Sequence, residues 1–239
     1  MCRLLAFNTE SFDPKFAEAL RKSAQSDPFF SLGSHADGWG VAVYFQVDGE
    51  WRSLVYRTKV PIFRDPLFDS VIKTIQGRKA VGVMHVRQGR RFLYALTNNH
   101  PYHARARNYD LFFVHNGSIM RKAFPQPMYP ATDSFLYFQG IVGLVEEGLP
   151  PLEAYSKVSV ELMQYASSLN SALLAYDEVY GPSVYYLSYH NRARAREVDE
   201  YYAVYRHEGY VFSSTLRLYL GLGERVVEGT VTEIPPSKV

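Results

Sequence analysis

The sequence holds one cysteine, and it stands at position 2, directly after Met1. Cysteine is small enough for the methionine to be trimmed, which leaves a free α-amine and a thiol on one residue. Near neutrality such an amine can take the thiol's proton, so Cys2 alone would supply both nucleophile and general base. The plain alternative is a small buried hydrophobe leading into an apolar strand.

Four further segments carry residue types that suit a reaction at that thiol. His35-Ala36-Asp37-Gly38-Trp39-Gly40 places two glycines around a tryptophan, which suits a close backbone approach or a turn beside a core Trp. His85-Val86-Arg87-Gln88-Gly89 follows an apolar run. An arginine there can grip a carboxylate with two parallel hydrogen bonds, or sit in a structural ion pair. Phe113-Val114-His115-Asn116-Gly117 takes an apolar strand into a polar pair. The Asn116 amide and the Gly117 N–H can converge on one oxygen as an oxyanion hole, although Asn-Gly is also a common hairpin turn. Thr132-Asp133 opens a helix. Asp133 is then either part of a helix cap or a carboxylate for a substrate ammonium.

The elements that must hold these residues can be read from periodicity. A buried strand is expected over 2–7 and a helix over 15–25 after Asp13-Pro14. Alternation over 38–47, the Asp48-Gly49 turn and the run to Thr58 predict a β-hairpin. A helix is expected over 66–76 and buried strands over 80–86 and 111–115. Phe135, Phe138, Val142 and Val145 form an amphipathic stripe that closes at Gly148, and a second helix is expected over 152–168. Strands are then expected over 171–176, 183–189, 201–206, 210–214 and 225–234. Strands, two central helices and strands again suit an α+β fold of two sheets with helices outside. No repeat or long linker divides the chain, so one domain over 2–239 is expected.

Composition narrows the classes. With a net charge of +2 and 21% charged residues, no general affinity for nucleic acid or membrane surfaces is expected. Arg192-Ala193-Arg194-Ala195-Arg196 is the main basic cluster and reads as a solvated loop, and the 19 tyrosines as packing residues. No signal sequence or membrane span is expected, and one cysteine suits the reducing cytoplasm. His100 and His103 are the tightest histidine pair, yet no second cysteine or His-Glu-x-x-His motif accompanies them, so no metal and no cofactor are expected.

In this order the segments resemble the class II glutamine amidotransferases of the N-terminal-nucleophile hydrolase superfamily, in particular its small stand-alone members. The shared pattern is Cys2, His35–Gly40, His85–Arg87, Asn99-His100-Pro101, His115–Gly117 and Thr132–Ser134, with Ser213-Ser214-Thr215 similar to a late strand end. The resemblance implies a four-layer α-β-β-α sandwich of two antiparallel sheets. It implies Cys2 as nucleophile, Asn116 and Gly117 as the oxyanion hole, Arg87 on the glutamine α-carboxylate, and Asp133 with the Gly117 backbone on its α-ammonium. The substrate would be glutamine, or alternatively a γ-glutamyl peptide or γ-glutamyl thiol. An inactive scaffold of the same fold is the alternative of another class.

One departure stands out. Synthetase-fused members continue after the arginine with Trp-Ala-Thr-His, whereas this chain has Gln88-Gly89-Arg90-Arg91, so their aromatic lid is missing. No fused synthetase is expected either. The ammonia acceptor is therefore expected to be a separate enzyme or bulk water.

Overall fold

The computed structural model describes residues 2–89, 96–125 and 131–237. Met1, Arg90 and Arg91 lie outside the described residues.

The chain opens with β1 (Arg3–Thr9) and α1 (Pro14–Gln25), whose cap is the Asp13 carboxylate accepting from Lys15 N. Strands β2 (Trp39–Val47) and β3 (Glu50–Thr58) form the expected hairpin, with positive φ at Asp48 and Gly49 as a type I′ turn requires. Next come α2 (Phe68–Ile75), β4 (Ala80–Val86), β5 (Tyr102–Ala106) and β6 (Tyr109–Ile119). Helices α3 (Asp133–Glu146) and α4 (Pro151–Met163) lead into β7 (Ala166–Asp177) and β8 (Gly181–Leu187). The chain closes with α5 (Asp199–Tyr202), β9 (Val204–His207), β10 (Tyr210–Ser213), α6 (Ser214–Leu220), β11 (Glu224–Arg225) and β12 (Thr232–Glu233).

Two antiparallel sheets result, a seven-stranded one ordered β11-β9-β10-β1-β4-β2-β3 and a five-stranded one ordered β12-β8-β7-β6-β5. Three apolar cores separate four layers. Leu5, Phe7, Val41 and Met84 face α1, α2 and α6. Leu4, Ala6, Val83, Phe112, Val114 and Leu174 fill the space between the sheets. Leu111, Phe113 and Leu173 face α3 and α4. Strand β1 is buried on both faces, which is why it reads as a continuous apolar run. Each such leucine or phenylalanine contributes about 1.5–3 kcal/mol by leaving water. The expected α-β-β-α sandwich is the observed architecture.

Several elements differ from expectation. Strand β6 runs four residues beyond His115, because β7 pairs with it throughout and matches Asn116 to Asn170 and Gly117 to Leu169. The pair therefore lies inside a ladder, not in a hairpin turn. Helix α4 stops at Met163, and residues 166–168 belong to β7. The buried face of α3 is Ser134, Tyr137, Phe138, Ile141 and Val145, rotated from the expected stripe because Ser134 turns inward to bond His115. Residues 199–202 are helical, and the carbonyls of Tyr201 and Tyr202 are taken by Arg3 and Asn170 side chains. The run over 225–234 splits between the edges of both sheets. Residues Arg192–Arg194 form a 3-10 turn whose arginines bond Asp199 and the Gln164 carbonyl. No helix among the described residues is long and apolar enough to cross a membrane.

Candidate active site

The registers bring three chain segments to one end of the seven-stranded sheet. Val86 pairs with both Arg3 and Trp39, so Cys2, Arg87 and Gly38 stand one residue beyond the paired strands. Strand β6 of the other sheet arrives opposite them. The Cys2 backbone nitrogen donates to Asn116 Oδ1 at 2.9 Å, tying the two sheets together at this point. The Cys2 thiol lies 3.8 Å from the Gln88 carbonyl oxygen, and the residue is only 8% exposed. Asn116 Nδ2 is buried without a hydrogen-bond partner among the described residues. A side chain at Gly117 would collide with the Ser168 carbonyl and crowd the His115 ring, so only glycine lets β6 and β7 close here.

The two motif segments around Arg87 are laced together. Arg87 N donates to the Gly38 carbonyl at 2.9 Å, Asp37 N to the Arg87 carbonyl at 3.0 Å, and Gly89 N to Asp37 Oδ2 at 2.7 Å. The Arg87 guanidinium folds back over Gly89, where an added Cβ would meet it, and Arg87 is 5% exposed. Trp39 is fully buried and donates from Nε1 to Asp65 Oδ2 at 2.8 Å, so its part is structural. Gly40 lies against the His100 carbonyl, in the space a side chain would occupy. In this way the Gly38-Trp39-Gly40 and Asn99-His100-Pro101 motifs form one packed unit.

Asp133 sits at the start of α3, with Thr132 as the cap accepting from Phe135 N. Its Oδ2 accepts from Ile119 N at 2.7 Å and its Oδ1 from Ser134 N at 2.9 Å. It thereby clasps the end of β6, two residues past Gly117, to the helix. Each carboxylate oxygen retains a second lone pair.

Three buried histidines lie beside this strand. His85 donates from Nε2 to the His115 carbonyl at 3.2 Å. His115 donates from Nε2 to the Ser168 carbonyl at 3.2 Å, leaving Nδ1 to accept from the Ser134 hydroxyl at 2.8 Å. His100 packs between His85 and Tyr102, at centroid separations of 4.1 and 4.4 Å, and neither of its ring nitrogens has a hydrogen-bond partner among the described residues. Burial pushes His85 and His100 well below the usual histidine range and lowers His115 as well. All three are neutral at pH 7. His103, the other half of the expected pair, bonds Asp110 on a different edge. Among the described residues no group of three or more His, Cys, Asp or Glu is placed to hold a metal.

On the other side of Cys2 is a network that sequence reasoning missed. Arg3, fully buried, bonds Asp27 Oδ2 through Nε at 2.6 Å and the Tyr201 carbonyl through Nη1 at 2.6 Å. Asp27 also accepts from His35 Nε2 at 2.7 Å, Thr215 Oγ1 at 2.8 Å and Phe29 N at 3.1 Å. Burial alone would raise the Asp27 carboxyl, but the His35 and Arg3 hydrogen bonds and charges hold it well below the usual range. Ser213 accepts from Leu4 N at 3.0 Å, so the Ser213-Ser214-Thr215 strand end anchors the start of β1. The available signal was a lone charge, Arg3, at the head of an apolar run.

Two grooves, of ≈ 590 and ≈ 640 Å³, lie along α3 and α4 on the outer layer and include none of these residues.

Residues 1–172 match the family described as class-II glutamine amidotransferases. The fold is similar to that of a glutamine aminotransferase class-II domain protein from Silicibacter pomeroyi, at TM-score 0.50 and 19% identity, covering 97% of this chain and 98% of that one. A "predicted glutamine amidotransferase" from Pseudomonas aeruginosa aligns at TM-score 0.40 and 18% identity over 88% of this chain and 78% of that one. No curated protein matches.

Proposed function

The chain belongs to the class-II glutamine amidotransferases, and from that premise we propose that it hydrolyses the glutamine side-chain amide with Cys2 as an N-terminal nucleophile. The observation that carries the proposal is the 2.9 Å bond from Cys2 N to Asn116 Oδ1, with the unpartnered Asn116 Nδ2 on the same amide. An amide that orients the nucleophile's own nitrogen and still holds a buried unused donor is placed to receive an oxyanion.

With Met1 removed, the Cys2 α-amine takes the thiol proton and Sγ attacks the γ-carboxamide carbon. The oxyanion is held by Asn116 Nδ2 and the Gly117 N–H, each donor being worth on the order of 10²–10³ in rate. As the tetrahedral species collapses, the C–N bond breaks, ammonia leaves with the proton carried by the amine, and a thioester remains. Water, deprotonated by the same amine, attacks the thioester, and glutamate departs as the thiol is regenerated. Arg87 pairs with the substrate α-carboxylate, and Asp133 receives the α-ammonium on its free lone pairs beside the Gly117 backbone. This cycle calls for no metal or cofactor. One domain over residues 2–239 carries it, in a reducing cytoplasm, with ammonia passed to a separate acceptor enzyme or to water.

The test pairs intact-mass determination of the N-terminus with ammonia release from glutamine and a γ-glutamyl panel. Protein freed of Met1 is expected to be active. Protein retaining Met1 is expected to be folded but inactive, because its amide nitrogen has no useful basicity. Cys2→Ala with a free terminus is expected to bind glutamine without turnover. Full activity with Met1 retained would overturn the N-terminal-nucleophile assignment, and absence of turnover on the whole panel would point to a scaffold.

A further inference from the structure

Tyr201 has no part in that cycle, yet its hydroxyl donates to the Cys2 carbonyl at 3.3 Å. We propose that Tyr201 is a positioning residue for Cys2, fixing the carbonyl end of the nucleophile while Asn116 fixes its amine; this rests on Cys2 being the nucleophile.

A terminal residue has a single covalent anchor. Once Met1 is gone, rotation about the Cys2 backbone is limited by what its carbonyl, its amine and its thiol touch. The amine has Asn116 Oδ1, and the carbonyl has Tyr201. Tyr201 is itself held on every side. The Arg3 guanidinium lies 3.8 Å from its ring centroid and bonds its carbonyl, and the Ser214 hydroxyl donates to that carbonyl at 3.4 Å. Phe30 and Tyr202 pack on the ring at 5.6 and 5.1 Å. Its side chain is fully buried, and burial drives the phenol well above its usual range, so it remains a proton donor. A rigid ring with one hydroxyl aimed at the chain terminus is a positioning device.

Tyr201→Phe keeps the ring and the cation contact and deletes only the hydroxyl. Its kcat is expected to fall about tenfold with KM near normal, the size of one well-placed hydrogen bond. Because the chain holds a single cysteine, iodoacetamide reads Cys2 alone, with or without a known substrate. Labelling at pH 7 of protein shown by mass to lack Met1 is expected to slow severalfold, within the range of such a bond. Tyr202→Phe is the comparison. That hydroxyl accepts from the backbone N–H groups of Arg196 and Glu197 at 3.0 and 3.3 Å, so labelling should be unchanged. If Tyr201→Phe melts near the assay temperature, the labelling ratio is taken in the cold. Equal labelling in wild type and Tyr201→Phe overturns the proposal, as does a KM rise with kcat intact. Absence of turnover in wild type removes the proposed reaction but leaves the labelling ratio to decide the role of Tyr201.

Discussion

Two polar clusters flank Cys2, and burial has opposite consequences in them. Around Asp27 the groups are charged and densely bonded, with four donors on one carboxylate. Around His100 the groups are neutral, and buried ring nitrogens are left without partners among the described residues. Where the chain supplies a counter-charge and donors, burial retains an ion pair. Where it supplies aromatic neighbours, burial strips the charge away. The first arrangement fixes the start of β1. The second places uncharged rings behind the strand that carries Asn116.

The largest expected effect strikes the charged cluster. Asp27→Ala leaves the Arg3 guanidinium buried without its counter-ion and should cost about 3–5 kcal/mol, on the order of ten degrees in Tm. A loss below about 1 kcal/mol in chemical denaturation would show that the two clusters are not so different.

Acid should then separate them. The three histidines have folded pKa values below their unfolded value, so below about pH 6.5 the unfolded chain takes up protons that the native one refuses. Stability should therefore fall as pH falls below about 6.5. Asp27, with its pKa depressed, gives stability that is present above its unfolded value and lost only as pH falls through its lower folded value. Melting curves between pH 7.5 and 5 check this, and a flat profile would contradict neutral burial of the histidines.

The smallest effect is expected from His100→Phe at pH 7.5. It removes two unpartnered buried nitrogens, so stability should stay within about 1 kcal/mol of wild type. The same variant should lessen the acid slope. A loss of several kcal/mol would mean that His100 holds a polar partner in solution.

Much of this was legible in the sequence, for local reasons. The β2–β3 hairpin follows from alternation and Asp48-Gly49, and α1 from Asp13-Pro14. The order of motifs gave Cys2, Arg87, Asn116 and Asp133 as one candidate constellation. The bond from Cys2 to Asn116 joins two of these residues, and Arg87 is laced into the Gly38 segment. Asp133 was read as a partner for substrate, and its two backbone bonds add a structural duty. What was hidden depended on distant partners. The extension of β6 past His115 is dictated by β7, and the split of residues 225–234 by two separate sheet edges. Nothing in spacing links Arg3 to Asp27, and Tyr201 is one of 19 tyrosines.

The place of β1 has a consequence in time. It is the middle strand of its sheet, between β4 and β10, and Leu4 is tied to Ser213 across 209 positions. A ribosome releases the cysteine first and its supports almost last. Until β10 emerges, the nascent chain carries an exposed thiol with one flank of its strand unpaired. Such distant pairing is slow to form. The candidate site is therefore among the last parts to be completed, and a chain truncated before residue 213 should lack the Ser213 anchor at the start of β1.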